Sequence, residues 1–98
     1  MSAYIIARVE VTDPAAYEGY RARTPGVIAQ YGGRFVVRGG RVETLEGPAE
    51  TRRLVVLEFA DMAAARRFYD SPEYQAILPL RLATSRGDVI VVEGVPST

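Results

Sequence analysis

The chain has 98 residues, of which 48% are hydrophobic and 24% charged, a composition typical of folded globular proteins and not of disordered ones. Twelve arginines balance twelve acidic residues, and a formal net charge of zero gives no electrostatic reason to bind nucleic acid or anionic lipid. The chain lacks histidine and cysteine, which excludes disulfides, the usual zinc sites and histidine-based catalytic devices, so we expect no metal and no cofactor.

The length fits one domain over residues 1–98. The first residues include no basic leader, and no segment approaches the roughly 18 uninterrupted apolar residues of a membrane span. We therefore expect a cytoplasmic protein without a membrane segment. A domain of this size buries only about two-thirds of its unfolded surface, so we also expect a homodimer.

The first predicted element is a strand, because apolar residues alternate with the other positions from Tyr4 to Val11. Asp13 followed by Pro14 then suits the N-cap and first turn of a helix. This helix is predicted to run to about Tyr31, with a kink or restart at Thr24-Pro25, because an internal proline removes a backbone hydrogen bond.

The second half of the chain contains two strands, two helices and a final strand. These predicted elements are a strand over Arg34–Arg38, a long hairpin loop, a strand over Arg53–Phe59, a helix capped by Asp61 and ending near Tyr69, a shorter helix capped by Ser71 and ending near Leu78, and a strand over Val89–Val92. The order βαββαβ predicts an α+β, ferredoxin-like domain, a four-stranded antiparallel sheet with helices on one face. We expect its first and third strands to be central neighbours that run parallel to each other.

Alternation along the strands predicts that the two faces of the sheet differ. The face expected beneath the helices is apolar: Ile5, Ala7, Val9, Phe35, Val37, Val55 and Leu57. The open face is mixed: Tyr4, Ile6, Arg8, Glu10, Arg34, Val36, Arg38, Leu54, Val56 and Glu58. Because the open face carries too many apolar residues for a solvated surface, we expect a protein partner to cover it.

The charged residues of the open face have two interpretations. Glu10 and Glu58 are expected near the same ends of neighbouring strands, with Arg34 opposite Glu58. The first interpretation is a small-molecule pocket in which arginines hold an anionic or carbonyl group and a carboxylate moves a proton. The protein would then be a cofactor-free acid-base enzyme that acts on a small carbonyl or carboxylate compound. Its ligand-binding candidates are Arg8, Glu10, Arg34, Arg38 and Glu58, with Tyr20 as a lid or wall.

The second interpretation is structural. The same charges would form an ion-pair network that aligns two subunits of a non-enzymatic stress-related or accessory protein. Tyr17 and Tyr20, one helical turn apart, are likewise open to two interpretations, of which packing against the sheet is favoured over presenting hydroxyls to a pocket. The residues alone do not choose between enzyme and accessory protein.

Several short motifs occur in an order that resembles a known family. They are Tyr31-Gly32-Gly33-Arg34-Phe35, Arg38-Gly39-Gly40, Leu45-Glu46-Gly47, Glu58-Phe59, the run from Ala65 to Tyr74, and Pro79 with Arg81. Together they resemble the domain-of-unknown-function 1330 family, and the likeness extends from Tyr4 to Gly94.

This resemblance implies membership of the dimeric α/β-barrel superfamily, in which two ferredoxin-like subunits bring their open sheet faces together. Relatives in that superfamily include cofactor-free monooxygenases, haem-dependent enzymes and lactone isomerases. This chain lacks the histidine, asparagine and tryptophan that such activities tend to use. No reaction comes with the family name, so the resemblance implies no catalytic residue.

Overall fold

The computed structural model describes residues 1–96, whereas Ser97 and Thr98, the end of the predicted domain 1–98, lie outside the described residues. The described part contains four strands and three helices. They are β1 (Ala3–Val11), α1 (Pro14–Gln30), β2 (Arg34–Arg38), β3 (Arg53–Phe59), α2 (Met62–Tyr69), α3 (Pro72–Thr84) and β4 (Ser85–Glu93). The predicted βαββαβ order is confirmed, with its second helical part divided into α2 and α3.

All three predicted helix caps are confirmed. The Asp13 side chain accepts a hydrogen bond from the Ala16 amide at 3.1 Å, and the Asp61 side chain accepts one from the Ala64 amide at 2.7 Å. Ser71 accepts from the amide three residues ahead at 3.1 Å. Each cap satisfies one amide that the first turn of a helix leaves without a partner, which fixes where the three helices begin.

Two elements are longer than predicted. The third helix does not end near Leu78 but continues past Pro79 to Thr84. Pro79 is exposed, whereas Ile77, Arg81 and Thr84 are buried at helical spacing, so packing along that face outweighs the hydrogen bond that proline removes.

The last strand begins at Ser85, directly after the helix, rather than at Val89. Gly87 therefore lies within the strand, opposite Val9. A Cβ atom at this position would overlap the Arg8 carbonyl oxygen of the neighbouring strand. The glycine therefore permits a close approach of two backbones, a known role of glycine inside strands.

The strand order of the sheet is β2-β3-β1-β4, and every neighbouring pair is antiparallel. The expectation that the first and third strands run parallel is therefore wrong. Because α1 brings the chain back to the end of the sheet at which β1 begins, β2 runs in the same direction as β1. The β2–β3 hairpin then makes β3 run in the opposite direction. The sheet itself is the predicted four-stranded antiparallel sheet.

The hydrophobic core lies between the helices and one face of this sheet. Ile5, Leu57 and Phe59 contribute from the strands, and Phe68 and Ile77 contribute from the helices. Phe59 and Phe68 pack with ring centroids 5.2 Å apart. This arrangement confirms that the apolar sides of β1 and β3 lie beneath the helices.

A β-bulge in β2 changes the faces of two predicted residues. The register is regular at Phe35, opposite Leu57, and then shifts so that Val37 lies opposite Val56 and Arg38 opposite Val55. Since one extra residue in a strand reverses the faces that follow, Val37 lies on the open face and Arg38 on the helix-facing side. The predictions for Val37 and Arg38 were therefore wrong.

Within residues 1–96, no helix has both the length and the apolar character needed to cross a bilayer.

Candidate functional site

A cavity lies between the helices and the helix-facing side of the sheet, beside the hydrophobic core. It leaves about 50 Å³ for the centres of water-sized molecules. Most of its apolar lining comes from the sheet, and its polar side chains come from β2, β3 and all three helices. The lining residues are Ile5, Ala7, Val9, Tyr17, Tyr20, Arg21, Thr24, Ile28, Phe35, Arg38, Arg53, Val55, Leu57, Phe68, Tyr69, Tyr74, Arg81 and Val89.

The lining carries four arginines and no carboxylate among the described residues. Arg81 on α3 is only 7% exposed, whereas Arg38 is exposed. These two residues mark a buried end and a solvent end of the cavity. Within residues 1–96, neither Arg38, Arg53 nor Arg81 forms an ion pair.

Three buried side-chain nitrogens in the described part of the chain have no hydrogen-bond partner: the Nε atoms of Arg21, Arg53 and Arg81. All three residues line this one cavity. A buried donor without an acceptor costs free energy, and the cost is larger when the group is charged. Because Arg21 already forms an ion pair with Glu18, the excess of cationic donors in the cavity comes from Arg53 and Arg81. An anionic acceptor would satisfy these donors.

Tyrosine hydroxyls add further donors. The hydroxyls of Tyr20 and Tyr74 lie 2.7 Å apart, and their rings meet edge to face at 6.3 Å. Burial raises the pKa of Tyr20, and the neighbouring Tyr74 raises it further. Burial also raises the pKa of Tyr17, against the opposing effect of Arg53 and Arg81. The Tyr17 and Tyr20 hydroxyls therefore stay protonated at neutral pH and act as donors rather than as bases.

The six predicted ligand-binding residues lie on two different faces of the sheet. Tyr20 and Arg38 line the cavity. The other four belong to the opposite, open face: Arg8, Glu10, Arg34 and Glu58. Arg8 lies opposite Leu54, and Glu10 lies opposite Arg86. Glu58 lies between Tyr4 and Arg34 on the two neighbouring strands. The structure therefore does not bring the six residues into one pocket.

Glu10 and Glu58 are also far apart along the sheet. Because β1 and β3 are antiparallel, Glu58 lies opposite Tyr4 at the start of β1, whereas Glu10 lies near its end. The expected proximity of the two carboxylates was wrong. It rested on the parallel arrangement that the topology excludes.

The charges of the open face are paired with one another. Glu58 forms an ion pair with Arg34 and accepts a hydrogen bond from the Tyr4 hydroxyl at 3.1 Å. The Arg34 hydrogen bond, followed by that of Tyr4, lowers the pKa of Glu58, while the Glu58 carboxylate raises the pKa of Tyr4. The predicted pairing of Arg34 with Glu58 is confirmed.

A second group of charges lies at the other end of the open face and includes residues that sequence reasoning missed. Arg52 donates to Glu50 at 2.9 Å and to Asp88 at 3.2 Å, and Arg8 lies 3.7 Å from both carboxylates. The hydrogen bonds from Arg52 lower the pKa of Glu50 to about 2. This ion-pair cluster joins β1, β4 and the end of the long loop.

Between the two charged groups, apolar residues form a row across the sheet. Val37 lies opposite Val56, Val56 opposite Ile6, and Ile6 opposite Ile90. Ile90 is 49% exposed. The open face thus combines an apolar centre with ion pairs on either side.

Sequence reasoning missed Arg53 and Arg81 as cavity residues. Arg81 was hidden because the third helix was predicted to end before it, although Pro79 with Arg81 is one of the motifs that carry the family resemblance. Arg53 is the first residue of β3. Strand alternation places Arg53 on the same side as Val55 and Leu57, which was a usable signal.

The residues described here include no cluster of three or more histidine, cysteine, aspartate or glutamate side chains that would hold a metal ion.

The family model described as "Domain of unknown function (DUF1330)" matches residues 2–95 of the chain. No curated protein matches the chain. The chain is similar to the solved structure of RPA0582, a protein of unknown function from Rhodopseudomonas palustris. In that comparison the TM-score is 0.78, the identity is 20%, and the match covers 98% of this chain and 84% of the other.

Two other solved structures extend the comparison. SnoaB, a cofactor-independent oxygenase from Streptomyces nogalater, has a TM-score of 0.65 and 22% identity, with 98% of this chain and 95% of the other covered. A dimeric ferredoxin-like protein of unknown function from Jannaschia sp. CCS1 has a TM-score of 0.68 and 19% identity, with 98% and 100% covered. At these identities the likeness shows the shared ferredoxin-like fold.

Proposed function

The chain belongs to the DUF1330 family, and from this membership and the geometry of its cavity we propose that it is a homodimer that binds a small carboxylate or carbonyl compound. The observation that carries the proposal is the coincidence of three unpartnered Nε atoms, on Arg21, Arg53 and Arg81, in one cavity. A carboxylate matches guanidinium donors in both charge and planar geometry. The ligand would thus supply acceptors to donors that have none within residues 1–96.

The apolar part of the cavity supports a ligand with a short hydrocarbon segment. Ile5, Val55 and Leu57 form the wall that the sheet contributes. Small-molecule sites commonly combine such an apolar lining with a few polar groups that fix the orientation of the ligand. A short-chain carboxylate such as butyrate combines an anionic end with an apolar segment, so it is a suitable probe.

Any acid-base chemistry in this cavity would rest on hydrogen-bond donation to the ligand, because the lining includes no carboxylate within residues 1–96 that could abstract a proton. The Tyr20–Tyr74 pair shares one hydrogen bond, so one O–H remains to donate to a carbonyl oxygen of the ligand. Arginines beside it would stabilise negative charge that develops on that oxygen. A cofactor-independent oxygenase with the same fold, from Streptomyces nogalater, supports the idea that such a scaffold can house cofactor-free chemistry.

The open sheet face supports the homodimer. Its apolar row of Val37, Val56, Ile6 and Ile90 has ion pairs on either side, an arrangement that a second copy related by a two-fold axis would match. The dimeric ferredoxin-like protein from Jannaschia is consistent with this assembly. In this proposal the charges of the open face are structural, and the protein is cytoplasmic.

The test is a calorimetric titration with butyrate and with butyramide, which has nearly the same shape but no charge. We expect butyrate to bind with a Kd on the order of 10 μM to 1 mM, as suits a ligand of few atoms, and butyramide to bind at least about tenfold more weakly. Arg53→Met should weaken butyrate binding, whereas Arg23→Met, on the exposed part of α1, should not. Equal binding of butyrate and butyramide, or no binding of either, would refute the proposal.

A further inference from the structure

A proline inside α1 leaves a carbonyl oxygen without its usual helical donor. Pro25 has no N–H, so it cannot bond to the carbonyl of Arg21, four residues earlier. That carbonyl accepts instead from the Thr24 hydroxyl at 3.2 Å and from Nη2 of Arg38 at 3.0 Å. The hydrogen bond missing from the helix thus leaves this carbonyl oxygen free to accept from the Arg38 side chain of β2.

Arg38 is held at a second point as well. Its Cζ atom lies 4.5 Å from the centroid of the Phe35 ring, in a cation-π arrangement. The β-bulge after Phe35 is what brings Arg38 to the helix-facing side of the sheet. The guanidinium is therefore fixed between β2 and α1, at the solvent end of the cavity.

Most of the donors of Arg38 remain free. A guanidinium has five N–H groups, and the hydrogen bond to the Arg21 carbonyl uses one of them. Within residues 1–96, no carboxylate lies within ion-pair distance of Arg38. A side chain that is restrained in position but keeps its donors is preorganised to bind an anion.

We infer that Arg38 forms a second anion subsite at the mouth of the cavity, with Pro25 as its positioning residue, so that the ligand class is a short compound with acceptor groups at both ends. One end would meet Arg81 inside the cavity, and the other would meet Arg38 at the mouth. Dicarboxylates and oxo-acids with a short apolar middle have this form. The inference rests on the proposed function, since it assigns a second end to the same ligand.

The experiment compares succinate with butyrate, which share a four-carbon chain but differ in the second carboxylate. In the unaltered protein we expect succinate to bind about 10-fold more tightly or better, the range expected for hydrogen bonds to a charged group. Arg38→Met should bring the two Kd values to within about twofold.

Pro25→Ala tests the positioning role directly. The new N–H at residue 25 would bond to the Arg21 carbonyl in the ordinary helical pattern and compete with Arg38. We expect the preference for succinate to fall at least about threefold, while butyrate binding is maintained. The matched control is Pro79→Ala, which restores an N–H inside α3 far from Arg38 along the chain and should leave the preference unchanged.

The outcomes separate the two proposals. If neither succinate nor butyrate binds the unaltered protein, the proposed function fails. If both bind but the preference for succinate is absent, or persists in Arg38→Met, the second subsite is wrong while the first stands. If Arg38→Met removes the preference and Pro25→Ala does not, the positioning role of Pro25 is wrong.

Discussion

Replacing Arg81 with methionine is expected to raise the free energy of unfolding of the ligand-free protein and to abolish carboxylate binding. Arg81 is 7% exposed, and its Nε atom has no hydrogen-bond partner within residues 1–96. Leaving a buried polar group without a partner costs about 1 to 3 kcal/mol, and methionine removes that cost while keeping most of the apolar stem. For a chain of 60 to 100 residues, each kcal/mol changes the melting temperature by about 4 to 8 °C.

The assay is thermal unfolding followed by circular dichroism at a fixed protein concentration, with and without saturating butyrate. The unaltered protein should gain stability with butyrate, by about 2.7 kcal/mol at 100 times the Kd, because the ligand binds only the native state. Arg81→Met should start from a higher melting temperature and gain nothing. Arg23→Met, on an exposed position of α1, should change stability by no more than about 0.5 kcal/mol and keep the butyrate effect. A lower melting temperature for Arg81→Met together with an unchanged butyrate effect would refute the reasoning.

Three further predictions concern the sheet. The pKa of Glu50 in the folded state, about 2, lies below its ordinary value of 4.5, so its contribution to stability is complete above pH 4.5 and is lost as the pH falls towards 2. In urea unfolding at several pH values, the free energy of unfolding should therefore fall less steeply with decreasing pH for Glu50→Gln than for the unaltered protein. An equal pH dependence in the two proteins would contradict the lowered pKa of Glu50. Ile90→Glu on the open face should convert the proposed dimer to monomers in sedimentation experiments, whereas Leu82→Glu, on the exposed side of α3, should not. A dimer that survives Ile90→Glu would argue against this interface. Gly87→Ala should destabilise the fold by about 1 to 3 kcal/mol, because its methyl group would meet the backbone of the neighbouring strand. Gly40→Ala, where the added methyl meets no atom within 4 Å, is the control, and similar urea midpoints for the two variants would be the contrary result.

The fold could be predicted because its signals are local. Alternation in β1 and the caps Asp13, Asp61 and Ser71 depend on neighbouring residues only, and the structure confirms them. The end of α3 depends on tertiary packing instead: the burial of Ile77 and Arg81 carries the helix past a proline that local rules treat as a stop.

The candidate site was harder to predict because one extra residue in a strand moves every following residue of that strand to the other side of the sheet. The bulge in β2 moves Arg38 from the open face to the cavity, and nothing in the sequence of Arg34–Arg38 marks it. The direction of β3 also changed which of the predicted site residues lie close together. With the first and third strands antiparallel, Glu10 and Glu58 lie at opposite ends of β1 instead of side by side.

The open-face charges and the cavity arginines also separate the two sequence-based interpretations. Arg34 with Glu58, and Arg52 with Glu50, already satisfy each other, as expected of a structural network. Arg53 and Arg81 lack such partners in the described residues, as expected of groups that bind a ligand. In our proposal the ligand pocket and the structural ion pairs therefore lie on opposite faces of one sheet.

The most direct test of the cavity as the binding site is an isotope-filtered NOE experiment on methyl-labelled protein with butyrate. Alternate residues of β1 and β3 report on the two faces: Ile5 and Leu57 line the cavity, whereas Ile6 and Val56 lie on the open face. The account predicts NOEs from the methylene protons of butyrate to the methyl groups of Ile5 and Leu57 and none to those of Ile6 and Val56. NOEs to Ile6 or Val56 alone would contradict it.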